Sequence, residues 1–124
     1  MRILLVDDEP LIQKYSRSIL ASSGFEVAQE GNGDDALAHY LEFGPYDLVL
    51  TDYTHPGMGG IELAVAIRRK NARQAIAFVT AAASHVTLPP AVKDIPILEK
   101  PFRKQELLEL VRFTIKAARR KAPN

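Results

Sequence analysis

Cysteine is absent from all 124 residues, which excludes a disulfide framework and any thiolate metal site and suits a cytoplasmic protein. No apolar run approaches the ~20 residues needed to span a membrane. The first apolar stretch, Ile3-Leu4-Leu5-Val6, is cut off at once by Asp7-Asp8, too early for a signal peptide. Neither charge sign dominates: Lys+Arg 16 against Asp+Glu 15 leaves a net charge of +1, which points to no particular polyanionic partner. Internal repeats, low-complexity segments and linkers are missing too. What is present is ordinary for a globular chain, 47% hydrophobic and 25% charged residues. We expect a single domain over residues 1–124, with a basic tail from about 119 to 124 that frays.

Short apolar runs alternate with helical patterns along the chain. Ile3-Leu4-Leu5-Val6 reads as a buried strand with Asp7-Asp8 at its carboxyl end. Pro10 suits the first turn of a helix that carries Leu11, Ile12, Tyr15 and Ile19, and Gly24 closes it. Phe25-Glu26-Val27-Ala28 is a weaker strand. Asn32 or Gly33 caps a second helix with Ala36, Leu37, Tyr40 and Leu41, which ends at Gly44-Pro45. Leu48-Val49-Leu50-Thr51-Asp52 is a third strand ending on a carboxylate, followed by a Pro/Gly-rich loop. The third helix carries Ile61, Ala64, Val65 and Ile67, with Arg68, Arg69 and Lys70 in its last turn, where the helix dipole favours cations. Ala75 to Val79 is a fourth strand ending at Thr80.

Beyond Thr80 the pattern blurs, because Pro89-Pro90 forbids a regular helix through the second half of the segment. Ile95-Pro96-Ile97-Leu98 reads as a fifth strand whose proline argues for an edge position. A last helix runs from about Arg103 to Arg120 with Leu107, Leu110, Val111, Thr114 and Ala118 on one face. Leu108 and Phe113 fall off that stripe; a surface for a second copy or another partner and simple peripheral packing are equal readings of the pair.

This alternation predicts an α/β fold, a doubly wound parallel sheet in the order 2-1-3-4-5 with its switch point between the first and third strands. That topology sets Asp7, Asp8 and Asp52 side by side, with Thr80 and Lys100 at the next two strand ends along the same edge. Each residue has a plain alternative: Asp52 as a turn opener, Asp8 or Glu9 as an N-cap before Pro10, Thr80 as a turn residue, Lys100 as a solvated cation. Their convergence on one edge argues against all four at once. Crowded carboxylates repel and call for a cation, and hard oxygen ligands suit Mg²⁺. Calcium would want a D-x-D-x-D-G loop, which the chain lacks. A carboxylate can also attack a phosphoryl group and hold it as an acyl phosphate. Lys100 and the Thr80 hydroxyl then have a role against the phosphoryl oxygens.

With Asp7-Asp8, Asp52 followed by Pro56 and Gly60, Thr80-Ala81 and Lys100-Pro101-Phe102, the chain resembles the receiver domain of two-component response regulators over nearly its whole length. The resemblance implies a flavodoxin-like (βα)₅ fold in which a histidine kinase or phosphotransfer protein donates a phosphoryl group to Asp52. It implies Mg²⁺ held directly by Asp8 and Asp52, by Asp7 largely through water, and by the backbone carbonyl of Thr54. It pairs Lys100 with the phosphoryl group, moves Thr80 toward it on activation to switch binding of a downstream protein, and makes Lys100-Pro101 a cis peptide.

The chain also departs from the family. Ile97 stands three positions before the lysine, where receivers commonly carry an aromatic ring, which puts the usual threonine–aromatic coupling in question. Ala82 and Thr54 flank the path of the hydrolytic water, and a side chain as short as alanine is expected not to position it, so that hydrolysis is not fast. The segment around Pro89-Pro90 predicts a short or displaced fourth helix. His55 and His85 are read as exposed loop residues, since Mg²⁺ prefers oxygen. No direct nucleic-acid contact is expected from the basic tail, and no reaction on an external substrate beyond the domain's own phosphorylation and dephosphorylation. A haloacid-dehalogenase-like phosphatase would need an acid where Thr54 stands and a cap domain. A pseudo-receiver, binding partners without phosphorylation, is the other rival, and flavin binding lacks a phosphate-cradling loop after the first strand.

Overall fold

A computed structural model describes residues 1–53 and 57–120, the side chain of residue 85 excepted. Thr54, His55 and Pro56 and the last four residues lie outside the described residues. Five parallel strands form the sheet: β1 (Arg2–Val6), β2 (Glu26–Glu30), β3 (Leu48–Asp52), β4 (Ile76–Thr80) and β5 (Ile97–Glu99). They lie in the order β2-β1-β3-β4-β5. Helices α1 (Pro10–Ser22), α2 (Gly33–Phe43), α3 (Gly60–Lys70) and α4 (Lys104–Arg120) cover the two faces.

The central strands β1, β3 and β4 are largely apolar because both faces are buried. Alternate side chains split them between two cores. Ile3, Leu5, Leu48, Leu50, Ala77 and Val79 pack with Ile19 and Leu20 of α1 and with Leu107, Val111 and Ile115 of α4. Leu4, Val6, Val49, Ile76 and Phe78 pack with Ala36 and Tyr40 of α2 and with Leu63, Ala64 and Ile67 of α3. The two edge strands β2 and β5 are part exposed, and for β2 this matches its weak apolar signal.

Local signals account for most boundaries. Gly24 takes a φ of 93° just past α1, a conformation that side chains resist. Asn32 caps α2 by accepting from the Asp35 N–H at 2.8 Å. Arg68, at the end of α3, does more than answer the helix dipole: it holds Asp94 through two hydrogen bonds of 2.6 and 3.0 Å.

Three expectations need correction. The second strand lies at Glu26–Glu30 rather than 25–28, drawn along by pairing of Arg2 through Val6 with it. The fifth strand starts at Ile97 rather than Ile95, because Ile95 donates to the Val92 carbonyl at 3.2 Å and closes a turn instead of entering the ladder. Leu108 is not off the apolar stripe: it is buried against the α1–α4 core, while Phe113 is 64% exposed. The last helix ends at Arg120, as its pattern predicted, and Arg119 lies 3.9 Å from Asp47.

Between β4 and β5 no α-helix forms. Two single-turn 3₁₀ helices, Ala83–His85 and Pro90–Val92, take its place. Pro90 opens the second of these, where its missing N–H goes unneeded, and a proline pair cannot continue an α-helix.

Candidate functional site

Three strand ends and one turn build the site at the carboxyl edge of the sheet. Asp7 follows β1, Asp52 ends β3, and Lys100 follows β5, its N–H bound to the Thr80 carbonyl at 2.8 Å. One carboxylate oxygen from each of Asp7, Asp8 and Asp52 lies within 4.8 Å of the others. Asp7 and Asp52 are buried and Asp8 is exposed. Asp7, Asp8 and Asp52 therefore converge as the topology required.

Lys100 supplies the counter-charge. Its Nζ stands 3.0 Å from Asp7 Oδ2, 3.1 Å from Asp52 Oδ2 and 2.9 Å from Glu9 Oε1. Burial works against the ammonium, but the hydrogen bonds to Glu9 and Asp7 and the charges of Asp52 and Asp7 outweigh it and raise the lysine pKa above its usual value. Lys100 is thus charged at any ordinary pH.

Asp7 is fixed on two sides: its Oδ1 accepts from the Glu9 N–H at 2.9 Å, and its carbonyl accepts from Gln13 Nε2 at 3.1 Å. Thr80 is buried, and its hydroxyl oxygen accepts from the Ala82 N–H at 3.2 Å. Gly60 shows why no side chain is tolerated at the start of α3: a Cβ there would stand 2.6 Å from the Asp52 carbonyl and 2.9 Å from Tyr53. Lys100-Pro101 is cis, as the resemblance implied. Ile97 is half buried on β5. The Thr54 carbonyl and His55 fall outside the described residues.

Glu9 is the member that sequence reasoning missed. It was a candidate cap for α1 and does hold the N-cap position, but its side chain makes no capping hydrogen bond and reaches Lys100 instead. The signal was available, a third acid directly after Asp7-Asp8. Its partner lies 91 residues away, so spacing could not reveal the pair.

Three buried or edge carboxylates around one ammonium, on this sheet topology, define a receiver domain: the response regulator receiver family matches residues 3–112, and the chain belongs to it. Its relatives sharpen the placement. The chain is 34% identical over 119 residues to the chemotaxis protein CheY of Bacillus subtilis, covering 92% of this chain and 97% of that one. It is 33% identical to the DNA-binding response regulator MtrA of Mycolicibacterium smegmatis, covering 93% of this chain but 50% of that protein. Against the transcriptional regulatory protein ResD of Bacillus subtilis it is 42% identical over 57% of its own length and 29% of that protein's. Among solved structures, the response regulator TrrA of Thermotoga maritima, in complex with Mg²⁺-BeF, superposes with a TM-score of 0.81 at 36% identity, over 91% of this chain and 97% of that one. A receiver domain protein from Clostridium thermocellum shares the fold at a TM-score of 0.85 and 23% identity, over 95% and 96% of the two chains. Among the described residues no helix is long and apolar enough to cross a membrane.

Proposed function

We propose that the chain accepts a phosphoryl group on Asp52 from the phosphohistidine of a kinase or phosphotransfer protein, and that the resulting aspartyl phosphate switches its binding of a downstream protein in the cytoplasm. The observation that carries this reading is the Lys100 ammonium bridging Asp52 and Asp7 at 3.1 and 3.0 Å beside the exposed Asp8 carboxylate.

Asp52 is the nucleophile: a carboxylate oxygen forms the new bond to phosphorus, the phosphorus–nitrogen bond to the donor imidazole breaks, and the imidazole nitrogen keeps the electron pair. Lys100 neutralises the arriving charge, and Thr80 donates its hydroxyl to a phosphoryl oxygen as it moves in. In dephosphorylation a water oxygen attacks phosphorus, the bond from phosphorus to the Asp52 oxygen breaks, and the carboxylate keeps the electron pair as inorganic phosphate and a proton are released. No reaction is proposed beyond the domain's own phosphorylation from the donor and its dephosphorylation.

The clustered oxygens of Asp7, Asp8 and Asp52 fit Mg²⁺, with the Thr54 carbonyl proposed as a further ligand. Bound there, the ion supplies charge neutralisation for the anionic group. That TrrA is described in complex with Mg²⁺-BeF supports the same assignment.

The test is incubation with acetyl phosphate and Mg²⁺, read by intact mass. We expect a gain of one phosphoryl group in the native chain and none in Asp52→Asn. A native chain that takes up nothing, yet binds partners, would be a phosphorylation-independent interaction module. Steady turnover of a phosphomonoester would instead make it a phosphatase.

A further inference from the structure

An ammonium has three N–H donors, and here three carboxylates take them. Lys100 Nζ lies 2.9 Å from Glu9, 3.0 Å from Asp7 and 3.1 Å from Asp52. Lys100 has no donor left over for a phosphoryl oxygen. One of the three carboxylates must let go before the lysine can bind one.

The three are unequal. The Asp7 side chain is 5% exposed and already accepts from the Glu9 N–H, so releasing it would strand a buried charge. Asp52 is 9% exposed and is the residue that receives the group. Glu9 is 58% exposed, sits at the mouth of α1, and makes no capping bond that its departure would break. Water can take over its carboxylate at little cost. Glu9 is the one that yields.

We propose that Glu9 is a positioning residue that occupies, before transfer, the Lys100 donor later taken by the phosphoryl oxygen. This rests on the phosphoacceptor reading above. Glu9 keeps the lysine seated over Asp52, and it also competes with the incoming anion for the same proton. Removing it therefore speeds phosphoryl uptake, whereas removing a mere brace would slow it.

The full chain, Glu9→Gln, Glu9→Ala and Glu99→Gln are compared at saturating Mg²⁺, established separately for each. Adduct formation from acetyl phosphate is followed by intact mass. Beryllium fluoride, a tetrahedral stand-in for the phosphoryl group, is titrated while amide resonances are recorded. Both Glu9 variants are expected to react about fivefold faster and to bind beryllium fluoride about fivefold tighter, close to 1 kcal/mol at about 1.4 kcal/mol per tenfold. Glu99 is an exposed neighbour outside the three acceptors of the ammonium, and its variant is expected to match the native chain. An equal gain in Glu99→Gln would reduce the effect to general charge and overturn the proposal. Unchanged or weaker binding in both Glu9 variants would do so too. A native chain that forms no adduct fells the phosphoacceptor reading first, and this inference with it.

Discussion

At the scale of single residues, the site depends on what small side chains leave room for. Gly60 lets the start of α3 press against the Asp52 carbonyl. Gly60→Ala forces backbone apart at that contact and is expected to cost about 1–3 kcal/mol by urea denaturation, with slower phosphoryl uptake. Ala82 is exposed beside Thr80 and offers no polar group to hold a water. The aspartyl phosphate is accordingly expected to persist for minutes or longer; decay within seconds in Mg²⁺ would refute this. Tyr40 carries a pKa raised by burial, offset in part by the Asn71 side chain, and Lys100 one raised by its carboxylates against burial. For both, folding favours the protonated form, so their contribution is whole at neutral pH and lost as pH climbs above about 10. Urea midpoints measured across that range should fall, and fall less steeply in Tyr40→Phe.

At the scale of elements, the β4–β5 connection and α4 differ most from a simple reading. Pro89-Pro90 announced that a full helix could not form, and two 3₁₀ turns are the result. What they pack against was invisible until Val92 and Ile95 were seen in the α2–α3 core. On α4, a stripe drawn by spacing put Leu108 outside, yet the helix is wide enough in its apolar arc to bury Leu107 and Leu108 together. Leu108→Ala is expected to cost roughly 2 kcal/mol or more, and Phe113→Ala less than about 0.5 kcal/mol, in equilibrium unfolding. The pair thus does not form one exposed patch.

For the whole molecule, two cores on opposite faces hold the strand ends in register, and register is what gathers three carboxylates within 4.8 Å. Such crowding opposes folding unless a cation answers it. Lys100 answers in part. Saturating Mg²⁺ is expected to stabilise the native chain by about 2.7 kcal/mol at a hundredfold excess over its dissociation constant, seen as a rise in Tm. Asp8→Asn should remove most of that rise while leaving the metal-free Tm equal or higher, since it relieves repulsion at an exposed position.

The order of strands and helices, the buried character of β1, β3 and β4, and the five residues at the carboxyl edge were all determined by the chain's local pattern. Apolar runs and turn signals act over a few residues, and right-handed crossovers leave little freedom in joining them. Tertiary structure alone decided where β2 and β5 begin, that the buried face of α4 widens to take in Leu108, and that Glu9 shares the lysine. Each of those depends on a partner far along the chain, and burial or a hydrogen bond between distant residues is an energy that no local spacing contains.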